Sequence, residues 1–439
     1  MHKILKKLPG FRLLKEIFLS IKSFFPKLFN KLSRKNKEAI LFIPHTNCKL
    51  DDYDILNGQS SNVLCLFNSI LKDKQFKDFS LYIVYYNKEK LSLYQNYCQD
   101  FNLERVHFIF FEDSWSLLKA VAQCYTIFTD SDWTRIYYRI ASQRLICLNY
   151  FGGLIKNEFY RWECNGGFKE YLAEQKRMFR LYDYHLSISD ICSKFIALDN
   201  CHYYPHFVSL GFPRNDIFFE DNSYLRQAIQ KIVDFPIKKI ITYVPTHRDY
   251  ENPERDFYDK KKSINRSIWG YVDTEELSNL ENTLVETGTL IIAKVHPIQK
   301  ETGTIDSNKT TKHIIFYSDL VKQVKTSLNP LLAISDSIIT DYTTTVYDFL
   351  YLNRPIIYYF YDLEQYRATR GFFIEPIESV CAGHITKNLN ELLSAIKDIY
   401  AGLDPWAQKR KFLQEIFIKD LDGDSCKRIK KYFFQDIIK

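Results

Sequence analysis

At 439 residues, 46% of them hydrophobic, the chain has enough apolar side chains for two domains with separate cores, which excludes a disordered or fibrous protein. Its ten cysteines form no CxxC pair and no Cys/His cluster at zinc spacing, which excludes a zinc module and predicts free thiols in a reducing compartment. The formal charge of +7 sits at the N-terminus: residues 1–37 carry 11 of the 60 Lys/Arg and one of the 53 Asp/Glu, and the remaining 49 basic and 52 acidic residues are not the basic body of a nucleic-acid enzyme.

The basic arm, KILKKLPGFRLLKEIFLSIKSFFPKLFNKLSRKNK, interleaves Leu, Ile and Phe with lysines at helical spacing and is interrupted at Pro9-Gly10 and Pro26. It predicts one or two amphipathic helices on an anionic membrane surface, with Phe18, Phe24, Phe25 and Phe29 inserted and the lysines near phosphates. No run approaches the ~20 apolar residues of a spanning helix. No signal-peptide layout is present at the start, so a cytosolic location is expected.

Beyond the arm, strand-like runs alternate with helical stretches. The first half offers residues 39–45, 81–87, 106–111, 125–130, 144–150 and 185–189; the second offers 239–245, 289–297, 313–318, 336–341 and 355–361. These runs are continuously apolar, which suits parallel strands buried on both faces. The alternation, repeated in both halves, predicts an α/β protein of two doubly wound, Rossmann-like domains facing a cleft. The expected division is an arm at 1–37, a first domain at 38–204, a second at 205–403, and C-terminal helices at 404–439 packing back across the junction.

In such sheets ligands bind beyond the carboxyl ends of the strands. The polar residues there in the second domain are Thr246-His247-Arg248 after YVP, Lys294 and His296 in AKVHP, and Asp341 with Thr343–Thr345 after IIT. A helix start with free N–H groups and several hydroxyls is an anion site, and Arg and Lys nearby neutralise a pyrophosphate. The stretch Thr340-Asp341-Tyr342-Thr343-Thr344-Thr345 therefore reads as a phosphate cradle.

GFPRNDIF (211–218), YVPTHRD (243–249), AKVHP (293–297), SDSIITDYTTTVYDFLYLNRPIIYYFYD (335–362) and YRATRGFF (366–373) occur in that order. Together they resemble the signature of the CDP-glycerol glycerophosphotransferases, the teichoic-acid and capsule polymerases. The resemblance implies a GT-B architecture, with the activated donor held by the second domain. It further implies transfer of a polyol phosphate from a CDP-polyol to a hydroxyl of a lipid-linked glycan or polymer, releasing CMP at the cytoplasmic face of a bacterial plasma membrane. No metal or other cofactor is required, because basic groups do that work.

By position, Arg248, Lys294, His296, Asp341, Thr343 and Thr344 belong to the implied donor pocket, with threonines where the family has serines. His247, Arg214, Asp348 and Arg367 are counted with the donor's phosphates; for Asp348 the competing role is holding the loop, for Arg214 and Asp216 bracing the junction, and for Arg367 and Arg370 surface pairing. His296 and Asp341 are the expected catalytic residues on this side. One departure concerns the acceptor. The family carries WHGTPLK, with its histidine as base, whereas the equivalent stretch here is YFGGLIK (150–156) and Phe151 takes no proton. Either the acceptor chemistry differs or another residue supplies the base. The candidate is His45 in FIPHTNCKLDDYD, oriented by Asp51, Asp52 or Asp54, and the competing role for His45 is to cap the strand beside a solvated loop. Two other readings remain open at this point: a GT-B glycosyltransferase using a CMP- or UDP-sugar, and a catalytically silent binding or scaffold member.

Overall fold

The computed structural model describes residues 24–45, 61–101, 103–130, 142–148, 182–199, 206–246, 267–270, 272–295 and 311–438, with residues 140, 169, 172 and 173 between them. Two parallel sheets organise the chain. The first contains β1 (Asn36–Ile43), β2 (Ser80–Tyr85), β3 (Val106–Phe110), β4 (Cys124–Thr129), β5 (Arg144–Cys147), β6 (Tyr184–Ser187) and β7 (Phe207–Ser209), in the order β3-β2-β1-β4-β5-β6-β7. The second contains β8 (Lys239–Val244), β9 (Thr289–Ala293), β10 (Ile314–Phe316), β11 (Ser337–Thr340), β12 (Ile356–Tyr359) and β13 (His384–Thr386), in the order β10-β9-β8-β11-β12-β13.

The strand interiors are apolar because helices cover both faces. Ala39–Ile43 of β1 and every residue of β9 are buried, and each Val, Leu or Ile so placed is worth about 1.5–3 kcal/mol of transfer free energy. All eleven apolar runs become strands. The two strands the pattern missed among the described residues, β7 and β13, are three-residue edge strands that include polar residues, Phe-Val-Ser and His-Ile-Thr. In each sheet the order reverses once, between β1 and β4 and between β8 and β11. Those two points are where a doubly wound sheet opens a crevice.

The helices that matter below are α1 (residues 24–32), α2 (Asn62–Lys72), α3 (Ser114–Gln123), α4 (Leu328–Ile334), α5 (Thr345–Leu350), α6 (Leu363–Arg370), α7 (Ala407–Phe417) and α8 (Ser425–Phe434). After the second sheet the chain returns to the first. Gln414 on α7 donates to Leu350 O at 2.7 Å, while Lys419 N–H donates to Ile188 O at 3.0 Å. On α8, Lys430 pairs with Asp73 at 2.6 Å, and the Phe433 and Phe434 rings pack on Phe128. One apolar cluster therefore runs from Phe42 and Phe128 to Tyr342, Phe360 and Phe434.

The turn Pro213–Phe219 fastens the junction. Asp216 accepts the N–H groups of Ser425 and Cys426, each at 2.9 Å, and so holds the start of α8. Arg214 Nη2 reaches Asp348 at 3.0 Å, and Asn215 Nδ2 reaches the same carboxylate at 3.0 Å. Asn329 on α4 donates to Arg214 O at 3.2 Å and to Asn215 Oδ1 at 3.1 Å. Both members of the Arg214–Asp348 pair are largely shielded, which sets it apart from a surface ion pair of negligible worth.

The end of the arm is tied to the first sheet. Asn30 on α1 is fully buried and donates to Gln143 Oε1 at 2.9 Å, and Gln143 in turn donates to Val121 O and Cys124 O. That anchor turns Phe29 towards the protein, where its half-buried ring lies 5.3 Å from the ring of Trp115 on α3. Phe24 and Phe25 are 59% and 74% exposed. Phe18 lies outside the described residues.

Candidate active site

At the second switch point β8 and β11 end side by side, Val244 opposite Thr340. The chain then turns inward, and Asp341 and Tyr342 are buried. The Asp341 carboxylate accepts from Thr246 N–H at 2.9 and 3.0 Å, from the Thr246 hydroxyl at 2.6 Å, and from Tyr342 N–H at 2.5 Å. It thereby staples Thr246, two residues past β8, to the start of the turn that follows β11. The Tyr342 ring stacks on Tyr366 at 3.8 Å and on Phe360 at 5.0 Å, with Phe372 at 5.5 Å, and its hydroxyl donates to Asp362 at 3.2 Å. Two separate sequence motifs, 335–362 and 366–373, thus meet in one aromatic stack under the cradle.

Immediately after this buried pair, Thr343, Thr344 and Thr345 are half-exposed. Thr343 Oγ1 lies 3.2 Å from Thr345 Oγ1 and accepts Thr345 N–H at 3.4 Å. Thr344 stands at the N-cap of α5 without a side-chain capping bond. Lys294, one residue past β9, is half-buried; its N–H donates to Tyr243 O at 2.8 Å, and its ammonium lies 5.6 Å from the Tyr317 ring centre. Threonine hydroxyls past β11 and an ammonium past β9, two strands apart along the same sheet edge, are groups suited to an anion.

The expected donor residues divide into groups. Thr343, Thr344 and Lys294 stand at the carboxyl edge of the sheet. Arg214 and Asp348 lie behind α5, paired with each other at the junction. Arg367 is clamped between Glu364 at 2.6 Å and Glu375 at 2.9 Å on the outside of α6, and these carboxylates raise its pKa further above the usual guanidinium value. His247, Arg248 and His296 lie outside the described residues, as do Asp51, Asp52, Asp54 and Phe151. Among the described residues no cluster of three His, Cys, Asp or Glu side chains is arranged to hold a metal ion.

On the first sheet His45 stands two residues past β1, half-buried, and burial lowers its pKa, so the imidazole is neutral at pH 7. Beside it, Asp130 follows β4 and donates its N–H to Ile43 O at 3.2 Å. Its carboxylate accepts from Val63 N–H at 3.3 Å and from the Ser61 hydroxyl. In sequence Asp130 reads as part of a loop after a strand and weak as a metal site, but one signal marks it: the strand beyond each switch point runs into Thr-Asp, Thr129-Asp130 in the first half and Thr340-Asp341 in the second.

Burial pushes the Asp130 carboxyl up to about 6, with its hydrogen bonds from Ser61 and Val63 and the charge of Arg214 acting in the opposite sense. Folding therefore favours its protonated form. The stability this contributes is present below the ordinary carboxylate pKa and is lost as pH rises through about 6. Asp130→Asn is expected to gain on the wild type steadily between pH 4 and pH 7, by about 3 kcal/mol at most. Urea unfolding of both proteins across that range checks the sign.

The family model for CDP-Glycerol:Poly(glycerophosphate) glycerophosphotransferase matches residues 53–435. The teichoic acid ribitol-phosphate polymerase TarL of Staphylococcus aureus is 29% identical over 232 residues, 52% of this chain and 37% of TarL. A teichoic acid glycerol-phosphate primase of Bacillus subtilis is 26% identical over 291 residues, 62% of this chain and 66% of the primase. The chain thus spans between about a third and two thirds of these relatives' length. Among solved structures, the wall teichoic acid polymerase TagF superimposes with a TM-score of 0.69 at 18% identity, covering 97% of this chain and 96% of that one. A TagF variant soaked with CDPG gives 0.70. The fold is GT-B-like, and the chain belongs to the CDP-glycerol:poly(glycerophosphate) glycerophosphotransferase family.

Proposed function

We propose that the protein moves a polyol phosphate, glycerol or ribitol phosphate, from a CDP-polyol to a hydroxyl of a membrane-linked glycan or polymer in cell-surface polysaccharide synthesis. The observation that supports this most is the switch point of the second sheet. There, in a chain of this family, half-exposed threonines and Lys294 line the edge that the buried Asp341 and Tyr342 hold in place. The donor's diphosphate lies over Thr343 and Thr344, with Lys294 and Arg248 countering its charge. His296 donates a hydrogen bond to the phosphate oxygens, on which charge builds. The acceptor oxygen attacks the distal phosphorus in line, the bond to the CMP oxygen breaks, and His45 takes the acceptor's proton. Such transfer is mostly positioning and electrostatic stabilisation. Asp341 contributes by fixing Thr246 and the start of the cradle.

The acceptor's membrane link gives the arm its role at the cytoplasmic face. Phe24 and Phe25 insert, and Lys27, Lys31, Arg34 and Lys37, all exposed, meet anionic headgroups. A Phe24→Ser/Phe25→Ser double variant is expected to bind phosphatidylglycerol vesicles about 10–100-fold more weakly, and added salt to weaken the wild type. Equal partitioning of the two proteins counts against this role. The transfer itself is tested by CMP release from CDP-glycerol and CDP-ribitol, with mass analysis of the product.

A further inference from the structure

In-line transfer requires the acceptor side of the first sheet to be held at a fixed distance from the donor cradle. Asn62, the first residue of α2, is 1% exposed, and both ends of its amide are engaged. Nδ2 donates to Leu148 O at 2.6 Å, and Oδ1 accepts the N–H of Arg214 at 3.2 Å. Leu148 directly follows β5 and leads into the YFGGLIK stretch. Arg214 carries the ion pair to Asp348, on the helix that the cradle threonines begin. The residues on either side of Asn62 hold Asp130: Ser61 through its hydroxyl and Val63 through its N–H. Residues 61–63 therefore grip the ends of β4 and β5 and the Pro213–Phe219 turn together.

We propose that Asn62 is a positioning residue, whose amide sets the acceptor-side strand end against the donor helix through Arg214 and Asp348. The inference rests on the transferase reading above. A primary amide suits this place because one side must donate to a carbonyl while the other accepts from an N–H. Aspartate has no donor for Leu148 O, and an apolar side chain leaves both backbone groups buried and unpaired.

The test uses the full chain, the CDP-polyol that the wild type consumes, and a synthetic alkyl-linked tri(glycerol phosphate) as acceptor probe. Because a displacement of about 1 Å costs up to about 100-fold in rate, Asn62→Ala is expected to lower kcat for transfer by about 10–100-fold. Donor KM stays within about threefold, and the ratio of transfer to donor hydrolysis falls at least about tenfold. Asn62→Asp, which keeps the acceptor for Arg214 and loses the donor to Leu148, moves the ratio the same way and decides the matter if the alanine variant fails to fold. With Asp348→Asn the two changes are non-additive, the double variant being little worse than the poorer single. Transfer and hydrolysis falling together with the unfolding midpoint, additive effects, or an unchanged ratio overturn the proposal. A wild type that releases no CMP from either donor overturns the transferase reading itself, and does so before any variant is compared.

Discussion

Asp341→Ala is expected to lower unfolding free energy by about 3–5 kcal/mol and to abolish CMP release, whereas Asp341→Asn costs only about 1–2 kcal/mol. The difference follows from the donors around the carboxylate. Alanine strands the N–H of Thr246, its hydroxyl and the N–H of Tyr342, all in a site 1% exposed to solvent. Asparagine keeps an Oδ1 that accepts from both N–H groups and from the Thr246 hydroxyl, and loses only the second contact of the Thr246 N–H, at 3.0 Å, where an amide Nδ2 cannot accept. Urea unfolding read beside CMP release checks the ranking. An alanine variant as stable as the wild type removes the staple from the account, and with it the reason the cradle begins where it does.

Lys294→Ala and His296→Ala should behave in the opposite way. Each is expected to lower CMP release about 100-fold or more, since removing one preorganised donor to a developing anion costs about 10²–10³ in rate. Stability is expected to fall less for Lys294→Ala than for Asp341→Ala, because Lys294 is half-buried and Asp341 fully buried. The contact of the Lys294 ammonium with the Tyr317 ring, at 5.6 Å, is worth about 0.5–1 kcal/mol. Loss of activity with the smaller loss of stability, set against Asp341→Ala where both go, separates groups that meet the donor from groups that hold the edge. Unimpaired turnover in both variants removes the donor site from this edge.

The sheets were legible because burial on both faces writes a strand as an unbroken apolar run, and Ala39–Ile43 and Thr289–Ala293 are of that kind. β7 and β13 were not: each is three residues at an edge with polar residues among them, Phe-Val-Ser and His-Ile-Thr, whereas the equally short edge strand β10 is Ile-Ile-Phe and made a run. For the site, residue type and spacing identified the strand-end clusters but not which way each member turns. Arg214, Asp348 and Arg367 look alike in sequence as candidate phosphate or loop residues. Only the fold pairs the first two behind α5 and clamps the third between Glu364 and Glu375. Tyr342 gave no sign of its role, because its partners at 360, 366 and 372 become neighbours only when β12 and α6 are in place. Asn62 was equally silent: a single asparagine before an apolar helix reads as a cap, and its links to Leu148 and Arg214 span 86 and 152 residues.

The most direct test of the central claim is nucleotide release by the purified protein against CDP-glycerol, CDP-ribitol, CMP-sugars and UDP-sugars, with His45→Ala beside it. The account predicts CMP from a CDP-polyol, a polyol phosphate added to the acceptor, and loss of transfer in the variant. Release from a nucleotide sugar alone, or binding of donor without any turnover, would contradict it.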